Sequence, residues 1–167
     1  MSETYVECLV KRDSSMLGKL ARILLIMLTV VFGLLGLTGA YYGLPLLIAL
    51  ATAFCAYLVY LHTDIEYEYL YLDRELSIDK IMAKTKRKKV ATFDIERMEV
   101  LAPIKSYHLD NFKGRTGKEI DYSIGREEQP DLRYMMFYDG NQKILLSPNE
   151  ELVKAIRNIA PRKVFLD

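Results

Sequence analysis

Tryptophan is absent from this chain of 167 residues, and cysteine and histidine occur only twice each. Cys8 lies near the start and Cys55 lies inside an apolar run, so their positions predict neither a disulfide bond nor a zinc site. The net charge is only +1, whereas a dedicated nucleic-acid-binding protein carries a marked positive excess. From these shortages we expect no metal centre, no cofactor and no nucleic-acid partner.

Charged side chains are also absent between Ile23 and Thr63, a stretch of 41 residues. A helix needs about 20 apolar residues to cross the hydrocarbon core of a bilayer. The stretch therefore predicts a transmembrane helical hairpin over 20–62, with spans at about 20–40 and 44–61. Two such helices are hard to cover inside so small a soluble protein, and the run is too long for a signal peptide.

Basic residues predict the orientation of this hairpin. The turn between the spans contains Gly, Pro and two tyrosines but no Lys or Arg, whereas Lys19 and Arg22 flank the first span. Because cytoplasmic loops are enriched in Lys and Arg, both termini are expected in the cytoplasm. The sequence thus predicts a multi-pass protein of the cell membrane, with a cytoplasmic N-terminal segment at 1–19 and a cytoplasmic domain at 63–167.

Small residues recur on both predicted spans. Gly33, Gly36 and Gly39 follow one another every three residues, and Ala49 and Ala53 are four residues apart. Such spacing lets helices approach closely, since no bulky side chain separates the backbones. Two interpretations remain open: the hairpin packs on itself, or it packs against another membrane subunit, including a second copy.

The pattern changes after the hairpin from continuous to alternating, which is typical of β-strands. Turn residues, among them the pair Asp139 and Gly140, separate these segments. A polar segment at 106–131 interrupts the series and is predicted as a long loop that is either functional or mobile. The predicted strands lie at 65–72, 76–83, 89–93, 98–104, 120–124, 133–138 and 143–146.

A helix is predicted after the last strand. Ser147 is expected as the N-cap, Pro148 as the first helical residue and Glu150 as the partner in a capping box. Its apolar face is expected to consist of Leu152, Val153, Ile156 and Ile159. Strands followed by one helix indicate an α+β domain with an antiparallel meander.

Two stretches of this chain resemble bacterial membrane-anchored proteins with a pleckstrin-homology-like (PH-like) domain. They are Tyr67–Leu76 at the exit from the membrane and Lys89–Val100. The ending, Pro148–Phe165, is similar to that of small, functionally unassigned membrane proteins of Gram-positive anaerobes. The resemblance implies a PH-like meander or barrel capped by the C-terminal helix. It does not point to a particular function, because members of this group mostly have no assigned activity.

Residues suited to catalysis are sparse. His62 lies at the membrane border, where an interfacial role is the simpler interpretation. His108 stands near Asp110 in the polar segment, and a lone histidine on a loop is expected to be solvated rather than catalytic. The glycine turn at 114–118 lacks the spacing and the preceding strand of a phosphate loop. We therefore predict no catalytic residues and no metal ligands.

Two features are candidates for binding. The first is a basic run at a predicted hairpin tip, which is either a solvated turn or a contact with anionic lipid. The run consists of Lys84, Lys86, Arg87, Lys88 and Lys89. The second is the tyrosine row Tyr67, Tyr69 and Tyr71, which either packs in the core or lines a peptide groove.

Two functions follow from these features. The first is a non-enzymatic, membrane-anchored scaffold or interaction module that binds a protein partner or forms homo-oligomers. The alternative is a sensor of anionic lipid that uses the basic hairpin tip.

Overall fold

The computed structural model describes residues 5–127 and 130–166. The chain forms two compact units. One comprises Met1–Asp13, Glu66–Ile81 and Arg87–Asp167, and the other comprises Ser14–Ile65 with Met82–Lys86. The first unit contains most of both sheets and the second contains two long helices.

The long helices are α1 (Met16–Leu37) and α2 (Leu44–Thr63). Both are long and apolar enough to cross a membrane, and they match the two predicted spans. A 3-10 turn, Ala40–Gly43, joins them. The glycines just before its start and at its end, Gly39 and Gly43, have positive φ angles of 70° and 83°, which favour glycine.

The two helices touch at both ends and in the middle. A Cβ atom on Gly18 would lie 2.6 Å from Thr63, and one on Gly36 would lie 2.5 Å from Leu46. Near the centre, the Thr29 hydroxyl donates to the Thr52 hydroxyl at 3.0 Å. Glycine therefore permits close approach at each end of the hairpin, and a polar pair links its middle.

The N-terminal sheet contains β1 (Val6–Lys11), β2 (Ile65–Leu72), β3 (Glu75–Met82) and β4 (Lys86–Asp94), in the order β1-β2-β3-β4. Strand β1 is not predicted from the sequence, because exposed Leu9 breaks the alternation of this short segment. Strand β1 pairs antiparallel with β2, so that Val6 lies opposite Tyr71 and Lys11 opposite Glu66. The segments before and after the helices thus become neighbouring strands.

Hairpin turns with two successive positive φ angles connect the strands, as the right-handed twist of paired strands favours. Asp73 and Arg74 have φ angles of 48° and 67°, and Ala83 and Lys84 have 48° and 55°. The turn predicted at Asp139 and Gly140 has φ angles of 55° and 77°. Ala83 and Lys84 are not typical residues for this conformation, so the sequence gives a weaker signal there.

The C-terminal sheet contains β5 (Met98–Pro103), β6 (Lys118–Asp121), β7 (Tyr134–Tyr138) and β8 (Gln142–Leu146), in the order β5-β7-β8-β6. Strand β7 pairs antiparallel with β5 and β8, whereas β6 runs parallel to β8. The sheet is therefore mixed, and β6 does not continue an antiparallel meander.

The polar segment predicted as a long loop contains more structure than expected. A 3-10 turn, Tyr107–Leu109, leads into the short helix α3 (Asp110–Lys113) before β6. Leu109 is buried, and Phe112 packs on the same cluster. The segment folds because these two apolar side chains anchor it between polar stretches.

The C-terminal helix is α4 (Glu150–Ile159). Its N-cap is Asn149, whose side chain accepts from the Leu152 N–H at 2.9 Å. The predicted cap, Ser147, is wrong, because its hydroxyl accepts from the Ile124 N–H at 3.2 Å instead. The helix therefore begins two residues later than a Ser147 cap would imply.

The core lies between the sheets and α4. Phe93 of the N-terminal sheet packs edge-on against Tyr138 of the C-terminal sheet, with ring centroids 5.1 Å apart. Leu152, Val153 and Ile156 of α4 are buried, while Ile159 is 47% exposed, contrary to expectation. The fold is α+β and PH-like. Its largest fully buried side chains are Tyr69, Tyr71, Leu76, Ile78, Ile95, Met98, Leu101, Met136, Ile144, Leu146, Leu152 and Ile156.

Candidate functional site

The tip of the β3–β4 hairpin lies against the end of α2, within the helical unit. The Ala83 N–H donates to the backbone carbonyl of Asp64 at 2.7 Å. Asp64 is the residue that caps α2 after Thr63. The bond fixes Lys84, the second residue of the turn, close to the end of a candidate membrane span.

Strand alternation divides the predicted basic run into two groups. Lys84, Lys86 and Lys88 are exposed, and none of them forms an ion pair within the described part of the chain. Arg87 and Lys89 point to the outer face of the N-terminal sheet. The structure therefore leaves three of the five predicted cations available to a ligand.

Arg87 is held by two carboxylates on that outer face. Its Nε atom lies 2.6 Å from Asp79 Oδ2, and its Nη2 atom pairs with Glu68 Oε2. Lys89 pairs more loosely with Glu75, with 3.8 Å between Nζ and Oε1. Arg87 and Lys89 are therefore already paired with carboxylates of the same chain.

Around Arg87 lies a groove of about 510 Å³. Glu7, Glu68, Glu75 and Asp79, together with the apolar side chains of Leu70 and Leu72, form what we call the acidic face. Burial raises the pKa of the Glu68 carboxyl, and a hydrogen bond with Glu7 raises this pKa further.

Basic and aromatic side chains also lie at the ends of the helices. The Arg22 guanidinium stacks over the Tyr60 ring at 4.5 Å from its centroid. This contact joins α1 to α2 through a cation–π interaction. His62 is exposed, and its Nδ1 atom lies 2.8 Å from the Leu58 carbonyl, a contact that any histidine near a helix end can make.

The predicted helix-packing residues occupy different surroundings. Gly36 faces Leu46, and Ala49 is buried, so these two residues lie in the contact between the helices. A Cβ atom on Gly33 would point into open space, and Ala53 is exposed. Gly39 serves the turn through its positive φ. Packing against another subunit through Gly33 and Ala53 stays a prediction.

His108 and the glycine turn have structural partners. The His108 ring stacks on Phe165, with centroids 3.5 Å apart. Arg115 Nη1 pairs with Glu99 Oε2 at 2.6 Å. A Cβ on Gly117 would lie 2.5 Å from the Asn141 carbonyl oxygen, so this glycine permits a close backbone approach. Arg115 and Gly117 of the turn at 114–118 thus contact other residues of the same chain.

The tyrosine row lies in the core, as the simpler of its two interpretations predicts, rather than along a peptide groove. Tyr69 and Tyr71 are 0% and 1% exposed. The Tyr69 hydroxyl donates to the Tyr122 carbonyl at 2.7 Å and accepts from the Ser147 N–H at 3.2 Å. Burial raises the pKa of Tyr69, because the phenolate would lose its hydration.

Arg12, which follows β1, makes contacts that the sequence does not predict. Its guanidinium donates to the Asp121 carbonyl at 2.9 Å, to Asp121 Oδ2 at 3.1 Å and to the Tyr67 hydroxyl at 3.2 Å. The sequence carries no signal for them, since the residues are distant along the chain. Arg12 ties the segment before α1 to the polar segment around β6.

Metal-binding groups are not found in residues 5–127 and 130–166: no cluster of three or more His, Cys, Asp or Glu side chains is suited to a metal ion. Cys8 is buried and Cys55 is exposed, and both are free thiols. Among the described residues, the arrangement presents an exposed cationic turn and an acidic groove.

Comparison with known families agrees with this fold. The chain matches the family described as "Bacterial PH-like domain (DUF6106)" over residues 2–166. No curated protein and no solved structure matches the chain. Since the match covers nearly the whole sequence, the chain belongs to this family of bacterial PH-like domains.

Proposed function

We propose that this protein is a membrane-anchored, non-enzymatic interaction module whose PH-like domain acts at the cytoplasmic membrane face. One observation carries the proposal: strands β1 and β2, which flank the helical hairpin along the chain, pair with each other. Two spans whose outer ends enter one sheet must begin and end on the same side of a bilayer. This supports both termini lying on the same side of the bilayer. The positions of Lys19 and Arg22 predict that this side is the cytoplasm.

The connections to the sheet are short. Four residues separate Lys11 from Met16, and only Asp64 stands between Thr63 and Ile65. At about 3.4 Å per extended residue, neither connection lets the sheet move far from the membrane surface. A domain held in this way is suited to binding partners that lie in or on the membrane. PH-like domains are generally non-catalytic, which favours binding over an enzymatic role.

Cysteine labelling of intact and lysed cells tests the topology. In a Cys8→Ala/Cys55→Ala background, Tyr42→Cys reports on the inter-span turn, while Tyr5→Cys and Asn141→Cys report on the two flanks. We expect a membrane-impermeant maleimide to label the turn in intact cells and the flanks only after lysis. Labelling of the two flanks from opposite sides would overturn the proposal, as would a chain recovered in the soluble fraction.

A second candidate function is contact with anionic lipid through Lys84, Lys86 and Lys88. The hydrogen bond from Ala83 to Asp64 favours it, because it holds the turn at the end of α2. Each Lys near an anionic bilayer surface contributes about 1 kcal/mol to the attraction. Contact by this surface would concentrate anionic lipid around the hairpin tip.

A tryptophan reporter tests this lipid contact, since the chain contains no tryptophan of its own. Thr85→Trp places one fluorophore at the tip of the full chain, reconstituted in neutral bilayers. Small amounts of brominated anionic lipid or brominated neutral lipid are then added as quenchers. We expect the anionic quencher to be the stronger one, and added salt to remove the difference.

Two double variants that each remove two positive charges provide the matched comparison. Lys86→Ala/Lys88→Ala should abolish the preference for the anionic quencher, because it removes exposed cations. Arg87→Ala/Lys89→Ala should retain it, because those side chains pair with carboxylates. Equal losses in both variants would mean that net charge alone attracts the lipid, and the tip would then have no special role.

A further inference from the structure

We infer that the acidic face of the N-terminal sheet is a docking surface for a Lys- or Arg-rich juxtamembrane segment of a partner membrane protein. The inference rests on the proposed function, since it names the chemistry of the partner for a membrane-anchored module. The surface comprises Glu7, Glu68, Glu75 and Asp79 with Leu70 and Leu72.

The shape of this face suits an extended segment. The groove of about 510 Å³ crosses strands β1 to β4, so its floor is a sheet rather than a mobile loop. Two apolar lining residues are accessible, since Leu72 is 43% exposed and Tyr5 is 56% exposed. Apolar side chains beside carboxylates can accept both the stem and the charged head of a Lys or Arg.

The charge of the groove is complementary to a cation. Five carboxylates line it, Asp73 among them, whereas Arg87 and Lys89 are its only lining cations within the described residues. Arg87 shows how the face binds a guanidinium, since it bridges Asp79 and the buried Glu68. Glu7 and Glu75 are exposed at the groove, and a partner's cation would compete with Lys89 for Glu75.

The connection to the hairpin points to the kind of partner. Glu68 stands five residues after Thr63, the last residue of α2, so it lies within about 17 Å of the helix end along the chain. Segments at the cytoplasmic ends of membrane spans are enriched in Lys and Arg. Near the end of a membrane span, basic juxtamembrane segments are the cationic chains most available. Anionic lipid, in contrast, would be repelled by the acidic face.

A peptide-binding experiment with the full chain in neutral-lipid nanodiscs tests the inference. The probe is a fluorescent synthetic peptide of alternating Lys and Leu, and the comparison peptide has Glu in place of Lys. We expect only the cationic peptide to raise the fluorescence anisotropy, with an affinity that falls as salt increases. Failure of the cationic peptide to bind the wild-type protein would overturn the inference.

Two variants that each remove two negative charges locate the binding surface. Glu7→Gln/Glu75→Gln should weaken binding about tenfold, the factor expected for two exposed ion pairs. Glu119→Gln/Glu127→Gln removes exposed carboxylates outside the groove and should leave the affinity unchanged. Equal effects of the two variants would count against the docking surface, since bulk charge would then account for binding. Melting curves of both variants verify that the fold is retained.

The result is distinguishable from the topology test. Peptide binding with flanks on opposite sides of the membrane would reject the proposed function but leave a cation-binding face. Correct topology without peptide binding would reject the docking surface alone. Cross-linked dimers in the nanodiscs that disappear in Glu7→Gln/Glu75→Gln would identify a second copy as the occupant, against the inferred partner.

Discussion

At the scale of single residues, the basic run shows how strand geometry divides a set of like charges. Five cations within six positions form one patch along the sequence. Because side chains alternate across a strand, Arg87 and Lys89 meet carboxylates while Lys86 and Lys88 point away. Charge counted along the chain therefore overstates the cations available to a membrane. The distinction depends on one strand register, which composition does not encode.

Glu68 is expected to make stability depend on pH. Its pKa is raised in the folded protein by burial and by Glu7, so folding favours the protonated form. The resulting stabilisation is fully present below the unfolded pKa of about 4.3 and is lost as pH rises through the folded pKa. Glu68→Gln is neutral at every pH and so should not lose this stabilisation. We predict that its melting temperature rises relative to wild type as pH increases from the unfolded pKa of Glu68 through the folded pKa.

Thermal melts of the detergent-solubilised full chain at a series of pH values measure this difference. Glu119→Gln serves as the control, since that side chain is exposed and outside the groove. Parallel curves for wild type and Glu68→Gln throughout the acidic range would contradict the prediction.

At the scale of elements, the polar segment between β5 and β7 fastens the chain that leads into α1. Arg12 binds Asp121 with two hydrogen bonds, and the Asp13 N–H donates to the Ile124 carbonyl at 2.8 Å. Arg126 adds an ion pair to Asp13 at 3.0 Å. A segment that the sequence presents as a loop thus holds the start of the hairpin connection in place.

Removing the Arg12 side chain should loosen this attachment. Arg12→Ala loses three hydrogen bonds, and we predict a loss of about 1–2 kcal/mol in the free energy of unfolding. Trypsin cleavage after Arg126 should be faster in the variant, because the neighbouring backbone opens more often. Lys11→Ala, which alters the adjacent exposed residue, is the comparison. Equal cleavage rates in wild type and Arg12→Ala would show that the segment is held by other contacts.

Within the hairpin, Gly36 and Gly33 are predicted to differ despite their similar sequence context. Gly36→Val places methyl groups against Leu46, whose side chain would lie 2.5 Å from the new Cβ. We expect a destabilisation of about 1–3 kcal/mol from this overpacking. The Cβ of Gly33→Val has no neighbour within 4 Å among the described residues and should cost far less. Unfolding in mixed micelles measures both variants, and equal stabilities would contradict the close contact between the helices.

At the scale of the whole molecule, the sequence predicts the two long apolar helices, the C-terminal helix and seven of the eight strands that the described residues form. Long apolar runs and strong alternation determine these features locally. It does not predict β1, because the strand is short and its partner lies beyond both helices. The parallel pairing of β6 and the division of the basic run are likewise missed, since both arise from long-range packing.

Strand β1 should therefore be essential to the PH-like domain. Val10 is 7% exposed and Leu9 is 57% exposed, so they are neighbouring apolar residues on opposite faces. Val10→Asp buries a charge and is predicted to abolish the protease-resistant domain, whereas Leu9→Asp should leave it intact. Limited proteolysis of membranes measures the outcome. A resistant domain in Val10→Asp would show that β1 is dispensable.

The pairing of β1 with β2 also sets an order of events during synthesis. Val6 pairs with Tyr71, so the first strand has no partner until the ribosome has made 65 further residues, including both apolar helices. A chain whose hairpin inserts with its two ends on opposite sides would never bring these strands together. If the hairpin spans the membrane as proposed, completion of the sheet depends on correct insertion, and a misinserted chain would present an unpaired strand for quality control to recognise.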